Sequence, residues 1–352
     1  MLTVFAVVAS LVAGVIWRAE GSRAAIARTL TGSLWLANEG WVTLVDGTTN
    51  EAVWKLSVAA PGTSLRVLQL ATGAIVLDEV SGTITSISST SLTASSTASI
   101  TPGPTEVRAS DGMVYVVPGD ARENISRRDP QTLASVAELP VSGGASSAVD
   151  DLGRLWLFDR AGERLHLVDG AELVASPSAP GSAAATVAAI RTGVALVQPD
   201  GKLTRVRAAP TARPIVERDE IDLAAAGWVA VHAVEAPPDG LVLLDPERAR
   251  LAHCPDDAGC AVLSLAPHLQ PGDGAGTPWY FGGVVFVPNH TRGTVVLVDP
   301  ATNAVTDVVE VLERPAPFEL VSSGADLWFN NPATNEAGRI APMAGSPACA
   351  ST

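Results

Sequence analysis

Few residues in this 352-residue chain are of the types that carry chemistry: it has five histidines and three cysteines. Cys254 and Cys260 bracket Pro255-Asp256-Asp257-Ala258-Gly259, with His253 beside them. Two cysteines facing each other across a turn bond in an oxidising compartment. Read as a metal site, the same trio lacks a fourth ligand and the usual cysteine spacing. The disulfide is therefore preferred, two free thiols are the alternative, and no metal or other cofactor is expected. Cys349 stands alone in the tail. The sequence has no phosphate-binding glycine loop, nucleophile elbow, His-Glu-x-x-His or calcium loop. Acid–base catalysis would fall to His268 and His290, provided that carboxylates tune them.

The elements that must position these residues recur. Apolar runs centred on Leu34, Ile75, Val114, Leu155, Ala195, Val242, Val285 and Leu327 are separated by 41, 39, 41, 40, 47, 43 and 42 residues. Three of them sit in near-identical pentapeptides, Leu34-Trp35-Leu36-Ala37-Asn38, Leu155-Trp156-Leu157-Phe158-Asp159 and Leu327-Trp328-Phe329-Asn330-Asn331. After each run come a polar turn, a second strand, an Asp-led turn and a third strand. Val45-Asp46-Gly47-Thr48-Thr49-Asn50 and Val298-Asp299-Pro300-Ala301-Thr302-Asn303 are the clearest copies of that Asp-led turn. A further strand precedes each later run, which makes four strands per unit. The runs are apolar on consecutive positions, as in Gly240-Leu241-Val242-Leu243-Leu244, the signature of a strand buried on both faces. The expected fold is all-β: a β-propeller of seven to eight four-stranded blades, eight preferred from the eight runs. The first unit has little room for an innermost strand and the last no evident outermost one, so residues 24–30 could close the ring.

That topology gathers the polar turns. In a four-stranded blade, the turn after the apolar run and the link to the next blade lie on one face. His290 is in such a turn and His268 in such a link. Glu39, Asp78, Glu79, Asp120, Asp159, Asp200, Asp245, Glu247, Asn289, Asn330 and Asn331 fall on the same face. They could hold a cation or polar ligand over a central channel; they are also what turns ordinarily contain, and the turn reading is preferred. The two imidazoles are expected to stand apart and solvated. Trp35, Trp156 and Trp328 read as core between blades.

Composition bounds the rest. A net charge of −14 and a pI near 4.7 exclude a nucleic-acid partner, because there is no basic stripe to neutralise phosphate. Residues 2–17 are an uncharged run closed by Arg18. As a helix they would cover about 24 Å, against about 30 Å of hydrocarbon. The division expected is 1–18 as membrane anchor or signal segment, 19–342 as propeller and 343–352 as a disordered tail. Arg18, Arg23 and Arg28 follow the run and no basic residue precedes it, so the charge rule alone would not place the propeller outside. Export is still favoured, with the propeller outside the membrane.

The units resemble those of propellers with YVTN or NHL-type repeats, through Gly293-Thr294-Val295-Val296-Leu297-Val298-Asp299-Pro300-Ala301-Thr302-Asn303 and its weaker copies. The apolar span followed by Gly32-Ser33-Leu34-Trp35-Leu36-Ala37 and Val42-Thr43-Leu44-Val45-Asp46-Gly47-Thr48-Thr49 resembles the propeller region of membrane-anchored actinobacterial surface proteins, many of which continue into fibronectin type III domains. The resemblance implies a non-enzymatic interaction or scaffold module at the cell surface, with a protein or cell-envelope component as partner. Similar propellers also include lyases and hydrolases acting through His and Glu near the channel, which is the second reading. A cell-wall or carbohydrate binding module is the third, and an aromatic fraction of 5% counts against it.

Overall fold

A pleated strand sends consecutive side chains to opposite faces, so a strand apolar at every position needs an apolar neighbour on each side. The chain meets that demand by closing on itself. The computed structural model describes residues 33–340, apart from 48, 50, 103–104, 111, 120–122, 143–145, 151, 171, 180–184, 199, 209–215, 224–227, 229–231, 234–239, 257, 324–325 and 335. Within these residues lie eight antiparallel sheets, each a meander of strands consecutive in sequence. Six have four strands, from Arg66–Leu70, Gly73–Asp78, Thr83–Ser88 and Thr93–Ser99 in the second sheet to Trp279–Phe281, Val284–Asn289, Thr294–Asp299 and Ala304–Glu310 in the seventh. The first and last have three, Leu34–Asn38, Trp41–Asp46 and Glu51–Ser57, and Glu319–Ser323, Asp326–Asn330 and Ala337–Ile340.

Eight apolar clusters fill the spaces between sheets, one per interface. In the fourth sheet, Trp156 and Phe158 pack against Val194 and Val206 of the fifth, whereas Leu155 and Leu157 pack against Tyr115 and Val117 of the third. Trp35 likewise turns toward the second sheet. Trp328 turns from the last sheet onto Leu34, Leu36 and Val45 of the first and so closes the ring. All three tryptophans are at most 2% exposed, which makes them core and not a stacking platform. The fold is a β-propeller.

The first sheet is met by groups from both of its neighbours, the second sheet and the last. The first sheet has no innermost strand among the described residues, and the exposed edge of Leu34–Asn38 is met by side chains. The Gln69 carboxamide accepts from the Trp35 N–H at 3.0 Å and donates to its carbonyl at 2.5 Å, as a neighbouring strand would. Asn330 donates Nδ2 to the Ala37 carbonyl at 3.1 Å, and the Glu39 N–H donates to the Pro332 carbonyl at 3.2 Å. The strand expected from 24–30, the segment 1–18 and the tail 343–352 lie outside the described residues. Among the described residues no helix is long and apolar enough to cross a membrane.

At two other joints, fourth to fifth and fifth to sixth, a buried arginine ties one sheet to the next. Arg205 of the fifth sheet, 1% exposed, donates to the carbonyls of Cys254 and Pro255 at 2.7 Å each. Those residues lead into the loop closed by the Cys254–Cys260 disulfide, with Cα atoms 4.0 Å apart. Arg154 pairs with buried Asp150 at 2.8 Å and donates across the interface to the Thr192 and Ala208 carbonyls at 3.1 and 3.0 Å. Asp150 also accepts from the Trp156 indole at 2.9 Å.

Candidate functional site at the channel mouth

The meander places the turns after each second strand, and the links between sheets, on one face. Most of the polar residues singled out on that face are engaged in holding the turns. Asp159 accepts from the Ala161 N–H at 3.0 Å and Asp200 from the Lys202 N–H at 3.1 Å. Asp78 accepts from the Val80 and Ser81 N–H groups, each at 3.0 Å. Partial burial pushes the pKa of Asp78 up, but these bonds outweigh it and leave the carboxyl below its ordinary range. Asp245 is fully buried and grips Arg250 through Nε and Nη2 at 3.0 and 2.9 Å, while its Oδ1 caps the single turn Pro246–Arg248. Arg250 in turn lies 4.3 Å over the ring of Trp228. Asn330 and Asn331 are buried too, and Asn331 Oδ1 accepts from the Ala333 N–H at 3.1 Å. Glu39, Glu79 and Glu247 are exposed, and Asp120 lies outside the described residues.

The two histidines are linked through the backbone only. Asn289, fully buried, donates Nδ2 to the His268 carbonyl at 3.2 Å and to Asp273 at 3.0 Å. The His290 imidazole bonds the Phe318 carbonyl through Nε2 at 2.8 Å and meets the Phe318 ring edge-on at 5.2 Å. This corrects the expectation of two solvated imidazoles: His290 is half-buried, because its turn folds back over the link that carries Phe318. Desolvation depresses its pKa, partly offset by the bond to Phe318. Among the described residues neither ring bonds a carboxylate. Nor do any three of His, Cys, Asp and Glu converge there as metal ligands.

A different group of charges lines the mouth, and sequence reasoning missed it. Arg66, Glu106 and Glu319 are each the first residue of an innermost strand. Arg66 pairs with Glu79 at 3.7 Å and donates to the Val107 carbonyl at 3.3 Å. Arg108 pairs with Glu106 at 3.0 Å and reaches Ser147 of the fourth sheet through its hydroxyl at 3.1 Å and its carbonyl at 2.9 Å. The Ser147 hydroxyl also donates to Glu106. Glu319 accepts from Asn330 at 3.0 Å. Burial pushes its carboxyl above the ordinary range, against the lowering pull of Asn330 and the more distant Arg66. Desolvation, then the like charge of Arg108, lowers Arg66. The cluster presents guanidinium donors and carboxylate acceptors together and suits a polar ligand or protein loop carrying both. One signal could have found it: charged residues opening strands that are otherwise small or apolar.

No family model matches the chain, and no curated protein does either. Solved structures do. The chain is similar to apo AztD from Citrobacter koseri, with TM-score 0.62 and 11% identity over 84% of this chain and 88% of that one. It is similar to BamB from Moraxella catarrhalis, with TM-score 0.58 and 13% identity over 87% and 92%. A streptogramin B lyase matches with TM-score 0.56 and 12% identity over 79% and 93%. At such identities the likeness is one of fold: all three are β-propellers.

Proposed function

We propose that this propeller is a non-enzymatic interaction module held at the outer side of the cell membrane by residues 1–18, with a protein or cell-envelope component as its partner. The observation that carries the reading is the state of the groups that would have to do chemistry. His290 is desolvated and tied to a backbone carbonyl, His268 bonds no carboxylate among the described residues, and most of the turn carboxylates cap backbone N–H groups. A general base must be both positioned and tuned. The Cys254–Cys260 disulfide supports an oxidising compartment. The mixed charges of Arg66, Glu79, Glu106 and Arg108 offer a partner salt-sensitive recognition without a reaction.

The experiment is to couple a photo-crosslinker at exposed Glu79 of the full chain and identify adducts in the membrane fraction at low and high salt. One discrete protein adduct that is lost at high salt is expected. Turnover of a small molecule that disappears in the His268→Ala/His290→Ala double variant would overturn the reading.

A further inference from the structure

One register position ties neighbouring sheets at three joints. The third-strand residue directly opposite the centre of the apolar anchor strand is Ser86 in the second sheet, Arg205 in the fifth and His253 in the sixth. Each bonds the carbonyl of a proline in the next sheet's turn: Ser86 to Pro130 at 2.6 Å, Arg205 to Pro255 at 2.7 Å and His253 to Pro300 at 3.2 Å. The prolines are equivalent too, each two residues beyond the position opposite its own sheet's anchor centre.

What holds the proline in place differs. In the third and seventh sheets an aspartate precedes it. Asp129 accepts from the Gln131 and Thr132 N–H groups at 3.0 and 2.7 Å, and Asp299 from those of Ala301 and Thr302 at 2.8 and 3.4 Å. In the sixth sheet the preceding residue is Cys254, whose sulfur is at best a weak acceptor, and the bond to Cys260 closes the turn instead. The turn has little other support on its outer side: Ala258 and Gly259 are exposed, and a Cβ on Gly259 would meet nothing within 4 Å. Yet the load on it is the heaviest of the three. Arg205 brings a guanidinium from a side chain 1% exposed and draws on three successive carbonyls, Cys254 and Pro255 at 2.7 Å each and Asp256 at 3.2 Å. Arg207 pairs with the Asp256 carboxylate at 2.9 Å. A buried cation that loses such acceptors is costly.

We infer that Cys254–Cys260 is a reducible latch on the joint between the fifth and sixth sheets: a thiol reductant opens the ring there by freeing the turn that holds Arg205. Cys254 is buried in the apolar cluster between these sheets and Cys260 is only half-buried against it, so an entering thiolate meets the Cys260 sulfur. With a dithiol, the mixed disulfide formed at Cys260 expels Cys254 as a thiolate. The second thiol then displaces Cys260, leaving the reductant as its cyclic disulfide and its two protons on the protein thiols.

The test is hydrogen exchange followed by mass spectrometry on the full chain, with and without dithiothreitol, alkylation confirming the state of the bond. Reduction is expected to speed exchange about tenfold or more in Lys202–Ala208 and Arg250–Pro255, and to leave Thr83–Ser88, whose joint is tied by Ser86, within about twofold. In Arg205→Met, which removes the buried charge and keeps a long side chain, the same reduction should speed exchange about threefold or less. Equal acceleration in parent and variant overturns the latch. So does acceleration spread evenly over all three strands, reduction without acceleration, or a bond that dithiothreitol leaves intact in the folded protein. Should Arg205→Met fail to fold, the parent decides alone: acceleration confined to the fifth and sixth sheets supports the latch, and an even spread overturns it.

Discussion

His290 shows how a single side chain can look chemical and be structural. Its imidazole is held neutral because protonation would place a charge in a half-buried site against Phe318. Since its folded pKa lies below the ordinary 6.5, the unfolded chain takes up the proton first, and stability present above that value is lost as pH falls through the folded pKa. Thermal unfolding followed from neutral pH to mildly acid pH should show a falling Tm, with a shallower fall in His290→Gln. Equal slopes would mean that the ring is solvated after all. Glu319 has the opposite sign: its raised pKa removes stability as pH climbs from 4.5 through the folded value. Glu319→Gln, which keeps an acceptor for Asn330, should raise Tm at neutral pH and match the parent in acid. A loss of stability at neutral pH would assign the ionised carboxylate a net favourable pairing with Arg66.

At the scale of elements, the anchor strands were legible because each is apolar on consecutive positions, and a strand between two neighbours must be. A strand was expected before each later run, yet the sequence does not show that the charges opening three of them, Arg66, Glu106 and Glu319, are brought toward one another, because that juxtaposition comes only from closing the ring. Nor does sequence reveal how a turn carboxylate uses its lone pairs. Asp159 and Asp245 occupy the same place in their sheets, but one caps an exposed turn while the other is a fully buried partner of Arg250. That difference gives the third prediction. Asp245→Ala removes a fully buried carboxylate that pairs with Arg250 over Trp228 and also uncaps Pro246–Arg248, so it should cost about 3–5 kcal/mol in denaturant titration. Asp159→Ala, which loses only a turn bond, should cost about 1 kcal/mol. Similar losses at the two positions would show that burial of Asp245 is not what sets its worth.

For the whole molecule, the described residues of the ring form eight clusters, one between each pair of neighbouring sheets, and the proposed anchor at 1–18 is asked only to hold that body at the membrane. An anchor of that kind is separable from the body it holds. Deleting 1–18 from the full chain is therefore expected to move the protein from the membrane pellet to the soluble fraction while leaving its Tm within about 1 °C, as removal of a segment that only anchors would. In the same preparation Cys254 and Cys260 should resist alkylation until a reductant is added, as a disulfide in an oxidising compartment would. The two readouts separate the parts of the proposal. Release with both cysteines freely labelled would retain the anchor but put the propeller on the reducing side of the membrane. A soluble parent chain would remove the anchor altogether. Loss of the folded ring on deletion would make 1–18 part of the propeller and overturn the anchor.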